Sequence, residues 1–262
     1  MLALQGDFAE HAAALRAAGA DVREVRLPAD LEELDGLIIP GGESTTIGKL
    51  LVEWQLLDPL RNRIREGFPV WGTCAGAILL AKDVQDALPG QPLLQVMDIA
   101  VRRNAFGRQV QSFETDVEVP ALGRRPYPAV FIRAPRIEGV GRRAEVLASL
   151  GDGTVVAARQ EQLLATSFHP ELTGDARFHR LFVEMVRGEP SSAATSRNGR
   201  PAVDRAGRKV VQPTPGAKAA RLHQPSRLKP APRAASLAHL TERPGSDAGG
   251  IDRAGRKVVQ PG

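Results

Sequence analysis

The chain has 262 residues and a net charge of +5 at neutral pH, and 42% of its residues are hydrophobic. It contains one cysteine, so no internal disulfide can form. No apolar run reaches the length of a membrane span, and the first residues show no basic segment followed by a long apolar core of the kind found in secretory signals. These features exclude a disulfide-stabilised scaffold and a membrane-spanning protein, and they predict a cytoplasmic protein with no membrane partner.

The charge is distributed unevenly, which predicts two regions. Residues 188–262 contain 14 Lys or Arg, 5 Asp or Glu, nine of the 20 prolines and no Phe, Tyr or Trp. Such a segment cannot bury a core, so we predict a folded domain over residues 1–187 and a basic, Pro-rich disordered tail over 188–262. Because the tail has no aromatic side chains on which bases could stack, nucleic acid is not expected as a partner.

The tail also contains a repeat. Residues 204–213 and 252–261 share the ten-residue sequence Asp-Arg-Ala-Gly-Arg-Lys-Val-Val-Gln-Pro. The repeat is either a short linear motif for an acidic partner or duplicated disordered sequence, and the composition favours the second interpretation.

The first forty residues alternate between short apolar runs and one amphipathic segment. Residues 1–4, 21–25 and 37–39 are predicted to be strands, and residues 8–18 a helix with Phe8, Ala12, Leu15 and Ala18 on its apolar face. The third run is apolar on both faces, which is typical of a parallel strand covered by helices. This order predicts a right-handed βαβ series.

A glycine turn follows the third predicted strand at residues 40–49, Pro-Gly-Gly-Glu-Ser-Thr-Thr-Ile-Gly-Lys, and leads into helical sequence up to residue 66. It differs from a phosphate-binding P-loop in two ways. Five residues rather than four separate Gly42 from Gly48, and Leu50 stands where a magnesium-binding Ser or Thr is required. The amides of the turn are better suited to an oxyanion or an α-carboxylate, and no metal site is predicted.

The cysteine lies at a predicted strand-to-helix turn. Residues 70–71 suit a buried strand, residues 75–81 suit a helix, and Gly72 and Gly76 flank Cys74. This pattern is typical of a nucleophile elbow, because a Cβ at either glycine would clash with neighbouring backbone. A helix N-terminus also favours a thiolate over a thiol. A lone cysteine is more often a core residue, but the two glycines favour the nucleophile.

Residues 82–92 are predicted to be a loop. Beyond it, β-prone segments occupy residues 97–102, 109–119, 129–132, 145–150, 154–160 and 163–167, and residues 151–153, Gly-Asp-Gly, predict a hairpin turn. The last helix is predicted over residues 175–186, with Phe178, Leu181, Phe182 and Met185 on its buried face. The predicted fold class is three-layer α/β, with a mostly parallel central sheet, flanking helices and antiparallel additions.

A histidine and a carboxylate lie between the last predicted strand and the last helix, in His169-Pro170-Glu171. A histidine at a strand end can reach a thiol presented by a neighbouring strand, and a carboxylate can fix the imidazole tautomer. His-x-Glu alone is more often an ordinary loop pair, but together with the elbow it favours a Cys-His-Glu triad.

Six sequence blocks together resemble class I glutamine amidotransferases, and more closely the glutaminase subunits of pyridoxal 5′-phosphate synthases. The blocks are residues 4–7 (Leu-Gln-Gly-Asp), 40–46, 72–76, 103–109 (Arg-Asn-Ala-Phe-Gly-Arg-Gln), 130–135 (Val-Phe-Ile-Arg-Ala-Pro) and 167–172 (Ser-Phe-His-Pro-Glu-Leu). They occur in the family's order over residues 1–187. The resemblance implies the fold of that family and hydrolysis of L-glutamine to L-glutamate and ammonia.

The resemblance also implies residue roles. Cys74 would attack the amide carbon, His169 would pass the thiol proton to departing ammonia, and Glu171 would hold the imidazole. The backbone N–H groups of Gly42 and Ala75 would form the oxyanion hole. Glutamine would be bound by Gly42, Glu43, Ser44, Arg103, Ile132 and Arg133, of which the arginines suit a carboxylate.

The ammonia would pass to a separate (β/α)₈-barrel synthase, whose dodecameric core carries the glutaminase subunits in this family. Pyridoxal 5′-phosphate would then be the product of the complex, and the chain itself would need no cofactor. Residues 5–7 are the candidate segment for responding to docking of the synthase.

Two other functions remain open from the sequence. The first is another intracellular Cys-His hydrolase, such as a peptidase, which would cleave peptides and not glutamine. The second is a non-catalytic scaffold that binds the synthase, whose Cys74 would not react with a glutamine analogue.

Overall fold

The computed structural model describes residues 1–103 and 112–189. The predicted tail beyond residue 189 and most of the block at residues 103–109 lie outside the described residues. Within the described ranges, no helix is both long enough and apolar enough to cross a membrane.

In the described part of the chain, helices and strands alternate up to α4, and eight strands then precede the last helix. The helices are α1 (Phe8–Ala17), α2 (Ser44–Glu53), α3 (Leu57–Arg65), α4 (Ala75–Leu80) and α5 (Arg177–Arg187). The strands are β1 (Leu37–Ile39), β2 (Val70–Thr73), β3 (Ala81–Gln85), β4 (Met97–Arg102), β5 (Ser112–Val117), β6 (Tyr127–Ile132), β7 (Arg136–Val140), β8 (Glu145–Ser149), β9 (Val155–Gln160) and β10 (Leu163–Thr166).

The central sheet has the strand order β1-β2-β10-β9-β7-β4-β3, with β8 paired to β9. Strands β1, β2 and β10 are parallel, and a parallel bridge between Leu2 and Val25 lies beside them. Strands β9, β8 and β7 add antiparallel pairs, whereas β5 and β6 form a separate two-stranded sheet. The carboxyl ends of the three parallel strands therefore meet at one edge, the usual place for a site in such a sheet.

The core consists of two hydrophobic clusters, one on each face of the sheet. Ile39 belongs to a cluster with residues of α2, α3 and α4, whereas the adjacent Ile38 belongs to a cluster with residues of α5. Successive side chains of a strand point to opposite faces, so the central strands are buried on both sides. This arrangement confirms the predicted layered α/β class, and α5 buries the predicted face of Phe178, Leu181, Phe182 and Met185.

Several sequence predictions differ from the structure. The strands predicted at residues 1–4 and 21–25 are reduced to the Leu2–Val25 bridge. The loop predicted at residues 82–92 is wrong at its start, because β3 begins at Ala81, directly after α4. Strand β3 lies at the sheet edge with mostly exposed side chains, so its polar sequence lacks the apolar pattern from which strands are predicted. Strand β7, which contains a glycine, was also not predicted.

Candidate active site

The candidate site lies where β1, β2 and β10 end. Ile39 is in register with Gly72, and Thr73 with Thr166, so the segments after these strands start side by side. They are the glycine turn after β1, Cys74 after β2 and His169 three residues after β10. The Cys74 N–H donates to the Thr166 carbonyl at 2.8 Å, which ties the nucleophile's backbone to the histidine-bearing strand.

Cys74 has the strained backbone of a nucleophile elbow. Its φ is 47° and its ψ is −101°, a conformation that residues with a Cβ rarely adopt. The flanking glycines are required by close backbone contacts: a Cβ at Gly72 would lie 2.5 Å from the Gly76 backbone, and one at Gly76 would collide with the Ile39 carbonyl oxygen. The cysteine is a free thiol that is only 7% exposed.

The structure brings together the three residues predicted to form the triad. The Cys74 side chain interacts with the His169 ring and raises its pKa, and His169 Nδ1 lies 2.7 Å from Glu171 Oε1. Since Nδ1 is used by the carboxylate, Nε2 is the nitrogen left for the thiol. Asp7, which the sequence did not single out as part of the triad, also approaches, with Oδ2 3.6 Å from His169 Nδ1.

Contacts within the site raise the pKa of His169 and lower the pKa of Glu171, in both cases against the effect of burial. Burial alone lowers the pKa of His169, but its contacts with Cys74 and Glu171 outweigh burial and raise the pKa to about 10. Burial alone raises the pKa of Glu171, but contacts with His11 and His169 lower it to about 2. The pair is therefore an imidazolium and a carboxylate at neutral pH, which suits a histidine that must deliver a proton.

A metal ion is one chemical alternative for this cluster. Asp7, His169 and Glu171 each offer one ligand atom, and these atoms lie within 4.8 Å of one another. The imidazole nitrogen that faces both carboxylates is already hydrogen-bonded to Glu171, so the contacts fit an orienting pair better than an open set of ligands.

The glycine turn is packed against residues 5–7. The Gln5 side-chain oxygen accepts the Glu43 N–H at 2.7 Å, and the Asp7 N–H donates to the Gly41 carbonyl at 3.2 Å. A Cβ at Gly41 would lie 2.5 Å from the His169 ring, so this turn also touches the histidine. Residues 5–7 and the predicted oxyanion turn thus form one contact surface.

Three of the predicted glutamine-binding residues are connected. Arg103 donates to Glu43 at 3.2 Å and to the Gln91 side chain at 2.8 Å, and Gln91 in turn donates to Ser44 Oγ at 3.1 Å. Glu43 is held as the N-cap of α2 by the N–H groups of Thr45 and Thr46, and its pKa is lowered to about 2. For Glu43, burial acts in the opposite direction, and the hydrogen bonds from the two threonines outweigh it. Sequence reasoning missed Gln91, which lies in the segment predicted to be a loop.

Two more of the predicted glutamine-binding residues lie at the end of β6: Ile132 is its last residue and Arg133 follows it. The Val130 carbonyl accepts the His169 N–H at 2.8 Å, which places the end of β6 beside the histidine. Ile132 is 36% exposed, and Arg133 has a left-handed φ of 43°. Within residues 1–103 and 112–189, no hydrogen bond joins the Arg133 side chain to Glu43 or Arg103.

Two buried histidines behind Glu171 were not predicted as site residues. His11 of α1 lies 3.1 Å from Glu171 Oε2, and His179 of α5 lies 3.0 Å from His11. The sequence does carry a signal for them, since His11 lies four residues before Leu15, and His179 three residues before Phe182, on faces predicted to be apolar.

An α/β sheet that presents a cysteine on a strained strand-to-helix turn, beside a histidine and a buried carboxylate, defines the class of cysteine-dependent hydrolases and transferases. Comparison with known proteins specifies the family within that class. A model of the SNO glutamine amidotransferase family matches residues 1–188. The chain belongs to this family.

Individual relatives agree with this assignment. Pyridoxal 5′-phosphate synthase subunit PdxT from Herpetosiphon aurantiacus is 62% identical over 184 residues, which cover 70% of this chain and 97% of the relative. The same subunit from a Parafrankia strain is 62% identical over 189 residues, covering 72% and 93%. A crystal structure of a glutamine amidotransferase matches with a TM-score of 0.67 and 53% identity over 71% of this chain and 97% of that chain. These findings confirm the predicted family, enzyme class and fold class.

Proposed function

We propose that Cys74, His169 and Glu171 are the catalytic triad of a glutaminase, which hydrolyses L-glutamine to L-glutamate and ammonia for pyridoxal 5′-phosphate synthesis. The observation that carries the proposal is the continuous path of contacts from the strained Cys74 through His169 to the buried Glu171 carboxylate. The name of the family, SNO glutamine amidotransferase, supplies the substrate class, and the names of the similar PdxT subunits of pyridoxal 5′-phosphate synthase supply the biosynthetic context.

The reaction proceeds through a thioester. His169 already holds the proton taken from the Cys74 thiol, and the thiolate attacks the side-chain amide carbon of glutamine. His169 donates that proton to the amide nitrogen as the C–N bond breaks, and ammonia leaves a γ-glutamyl thioester. Water, deprotonated by His169, then hydrolyses the thioester to glutamate and restores the thiol. Glu171 keeps the Nδ1–H oriented and stabilises the imidazolium throughout.

The N–H groups of Gly42 and Ala75 stabilise the oxyanion of each tetrahedral intermediate. Within residues 1–103 and 112–189, neither N–H donates a hydrogen bond to another group, so both are available to a substrate oxygen. One donor of this kind contributes about 3 kcal/mol to transition-state stabilisation. The packing of residues 5–7 on the glycine turn supports a link between this donor and the docking of a partner.

Glutamine recognition divides between charged and apolar contacts. The Glu43–Arg103 pair, with Ser44 beside it, offers both signs of charge to the α-amino and α-carboxylate groups of the substrate. Gly42, Ile132 and Arg133 complete the site proposed from the family resemblance. The partner that receives the ammonia is a (β/α)₈-barrel synthase with a dodecameric core.

The test is ammonia release from glutamine, measured for the full chain with and without the synthase subunit, with Cys74→Ala as the matched control. We expect turnover that rises when the synthase is present and disappears in Cys74→Ala. Peptide cleavage without glutamine hydrolysis would instead identify a peptidase. Failure of a glutamine-analogue affinity label to modify Cys74, even with synthase present, would identify a non-catalytic scaffold.

A further inference from the structure

The mechanism proposed above leaves two buried titratable groups unused. His11 and His179 are 0% and 1% exposed, and they reach the back of the triad from different helices, α1 and α5. Burying a polar ring costs free energy unless it is hydrogen-bonded, so the contacts of these rings define what they do.

His11 lies against the carboxylate oxygen of Glu171 that His169 does not use. His11 Nε2 is 3.1 Å from Glu171 Oε2, while Glu171 Oε1 is 2.7 Å from His169 Nδ1. The Glu171 side chain is fully buried, and Oε2 has no well-aligned hydrogen-bond donor within the described residues. The carboxylate therefore sits between two imidazoles, and the N–H of His11 is a polar group facing its second oxygen.

His11 is itself held from two sides. Its Nε2 lies 3.1 Å from Thr73 Oγ1, at the end of the strand that leads to the nucleophile, and its Nδ1 lies 3.0 Å from His179 Nε2. Trp71 packs edge-on against both histidine rings, with centroid separations of 5.7 and 5.1 Å. The ring consequently has little freedom to rotate away from Glu171.

One set of tautomers satisfies these contacts. An ionised Glu171 only accepts, so the His11 proton is on Nε2, which is hydrogen-bonded to Thr73 and faces Glu171 Oε2 at 3.1 Å. Nδ1 of His11 then accepts from His179 Nε2–H, and the unprotonated Nδ1 of His179 is the atom left without a partner, as found within the described residues. In this arrangement the buried atom without a partner is an unprotonated nitrogen and not an N–H donor.

We propose that His11 is a positioning residue for the glutaminase reaction: held by Thr73 and His179, it fixes the Glu171 carboxylate so that the opposite oxygen orients His169. The inference rests on the proposed triad. Without His11, a buried carboxylate oxygen loses its polar neighbour, and the carboxylate can turn away from the imidazole. The result is a loss in turnover and not in glutamine affinity, because His11 does not reach the residues proposed to bind substrate.

The test compares three replacements of His11 in the full chain assembled with its synthase subunit. A glutamine amide nitrogen reaches the position of Nε2, an asparagine amide reaches only that of Nδ1, and leucine has no donor. Leu15→Ala, one turn along α1 and buried without contacting the triad, controls for a destabilised helix. For each variant we measure kcat and KM for glutamine across pH, together with the rate of Cys74 alkylation by iodoacetamide.

We expect His11→Leu and His11→Asn to lower kcat by about 10-fold to 100-fold, the range typical of residues that orient a catalytic group. KM should change little, and the acidic limb of the kcat profile should move to higher pH because Glu171 loses stabilisation of its ionised form. His11→Gln should recover most of kcat. Equal losses in Gln and Asn variants, or a loss in Leu15→Ala as large as in His11→Leu, would overturn the proposal.

If His11→Leu does not fold, the comparison of His11→Gln with His11→Asn still tests the proposal, since both replacements are polar and similar in size. Glu171→Gln in the same assay separates this inference from the proposed triad. If Glu171→Gln retains full turnover, the triad itself is wrong. If Glu171→Gln loses turnover but all His11 variants keep it, only the role of His11 is wrong.

Discussion

At the scale of single residues, the proposed nucleophile Cys74 has a strained backbone. Its φ is 47°, and a residue with a Cβ in this conformation destabilises the folded state by about 1 to 3 kcal/mol. The hydrogen bond from its N–H to Thr166 and the close packing of Gly72 and Gly76 hold this conformation. The strain presents the side chain at the sheet edge, so the protein is less stable than it would be with glycine at this position.

This strain predicts a difference between two inactive variants. Cys74→Gly removes the Cβ and the strain, whereas Cys74→Ala keeps the Cβ. We expect the Gly variant to have a free energy of unfolding about 1 kcal/mol higher than the Ala variant, after the entropy that glycine adds to the unfolded chain is included. Urea unfolding of both variants measures this difference. A less stable Gly variant would show that the backbone at Cys74 carries no strain.

The buried His179 makes stability depend on pH. Burial, the larger cause, and the nearby His11 together lower its pKa to about 3. An unfolded chain binds a proton to this histidine near its ordinary pKa of about 6.5, whereas the folded protein does not. Its contribution is therefore complete above pH 6.5 and is lost as the pH falls from 6.5 towards 3, by at most about 1.4 kcal/mol per pH unit.

His179→Gln removes that titration while keeping a side-chain N–H. We expect its free energy of unfolding to fall less steeply between pH 6.5 and 5 than that of the unchanged protein, measured by urea unfolding at each pH. The lowered pKa of Glu171 affects stability only below about pH 4.5, and the raised pKa of His169 only above about pH 6.5, so neither disturbs this window. Parallel pH dependences would contradict the prediction.

At the scale of elements, the sequence predicts the parts in which local pattern and burial agree. β1, β2 and α5 were predicted because they are apolar on the faces that pack. The proposed triad could be predicted from the sequence because Cys74 directly follows β2, and His169 lies three residues after β10 with Glu171 two residues further on. β3 was missed because an edge strand needs no apolar pattern, and residues 1–4 and 21–25 make only one bridge despite being strand-like.

The unpredicted site residues have a different origin. His11, His179 and Gln91 reach the site from α1, α5 and the segment between β3 and β4, and no sequence motif connects them to Cys74 or Glu171. For the two histidines, a polar residue on an otherwise apolar helix face is the available signal. It indicates that the residue is buried and paired, but the partner is known only when the helices are placed on the sheet.

The N-cap of α2 predicts a separate effect on stability. Glu43 accepts the N–H groups of Thr45 and Thr46, whereas its exposed ion pair with Arg103 contributes little. We expect Glu43→Ala to lower the free energy of unfolding by about 1 kcal/mol and to raise KM for glutamine. Glu53→Ala, at the opposite end of the same helix, should leave both unchanged. Thermal unfolding and glutaminase kinetics on the two variants test this prediction. Equal effects of the two substitutions would show that Glu43 does not stabilise α2 as its N-cap.

At the scale of the whole molecule, the chain changes from a net negative to a net positive composition near the residue where the family match ends. Residues 1–187 carry 21 Lys or Arg against 25 Asp or Glu, so the basic character of the chain comes from the remainder. The family model ends at residue 188, and α5 ends at Arg187 with Gly188 in the left-handed conformation. The domain boundary near residue 187, the tail's role and the cytoplasmic location stay predictions.

Two truncated chains test the domain boundary near residue 187 and the contribution of the α5 cap to stability. A chain ending at Glu189 keeps the cap of α5, in which the Gly188 N–H donates to Met185 and the Glu189 N–H donates to Glu184. A chain ending at Arg187 loses both bonds. We expect both to match the full chain in glutaminase turnover with the synthase subunit, and the shorter one to be less stable by about 1 kcal/mol.

The same pair of chains also separates the tail's charge from its function. Removing a segment with 14 basic and 5 acidic residues should abolish retention on a cation-exchange matrix at neutral pH without changing kcat or KM for glutamine. A large loss of turnover in the chain ending at Glu189 would mean that residues beyond 189 contribute to the glutaminase domain, because its α5 cap is intact. The boundary would then have to be moved towards the C-terminus, and the repeat at residues 204–213 would become part of the enzyme.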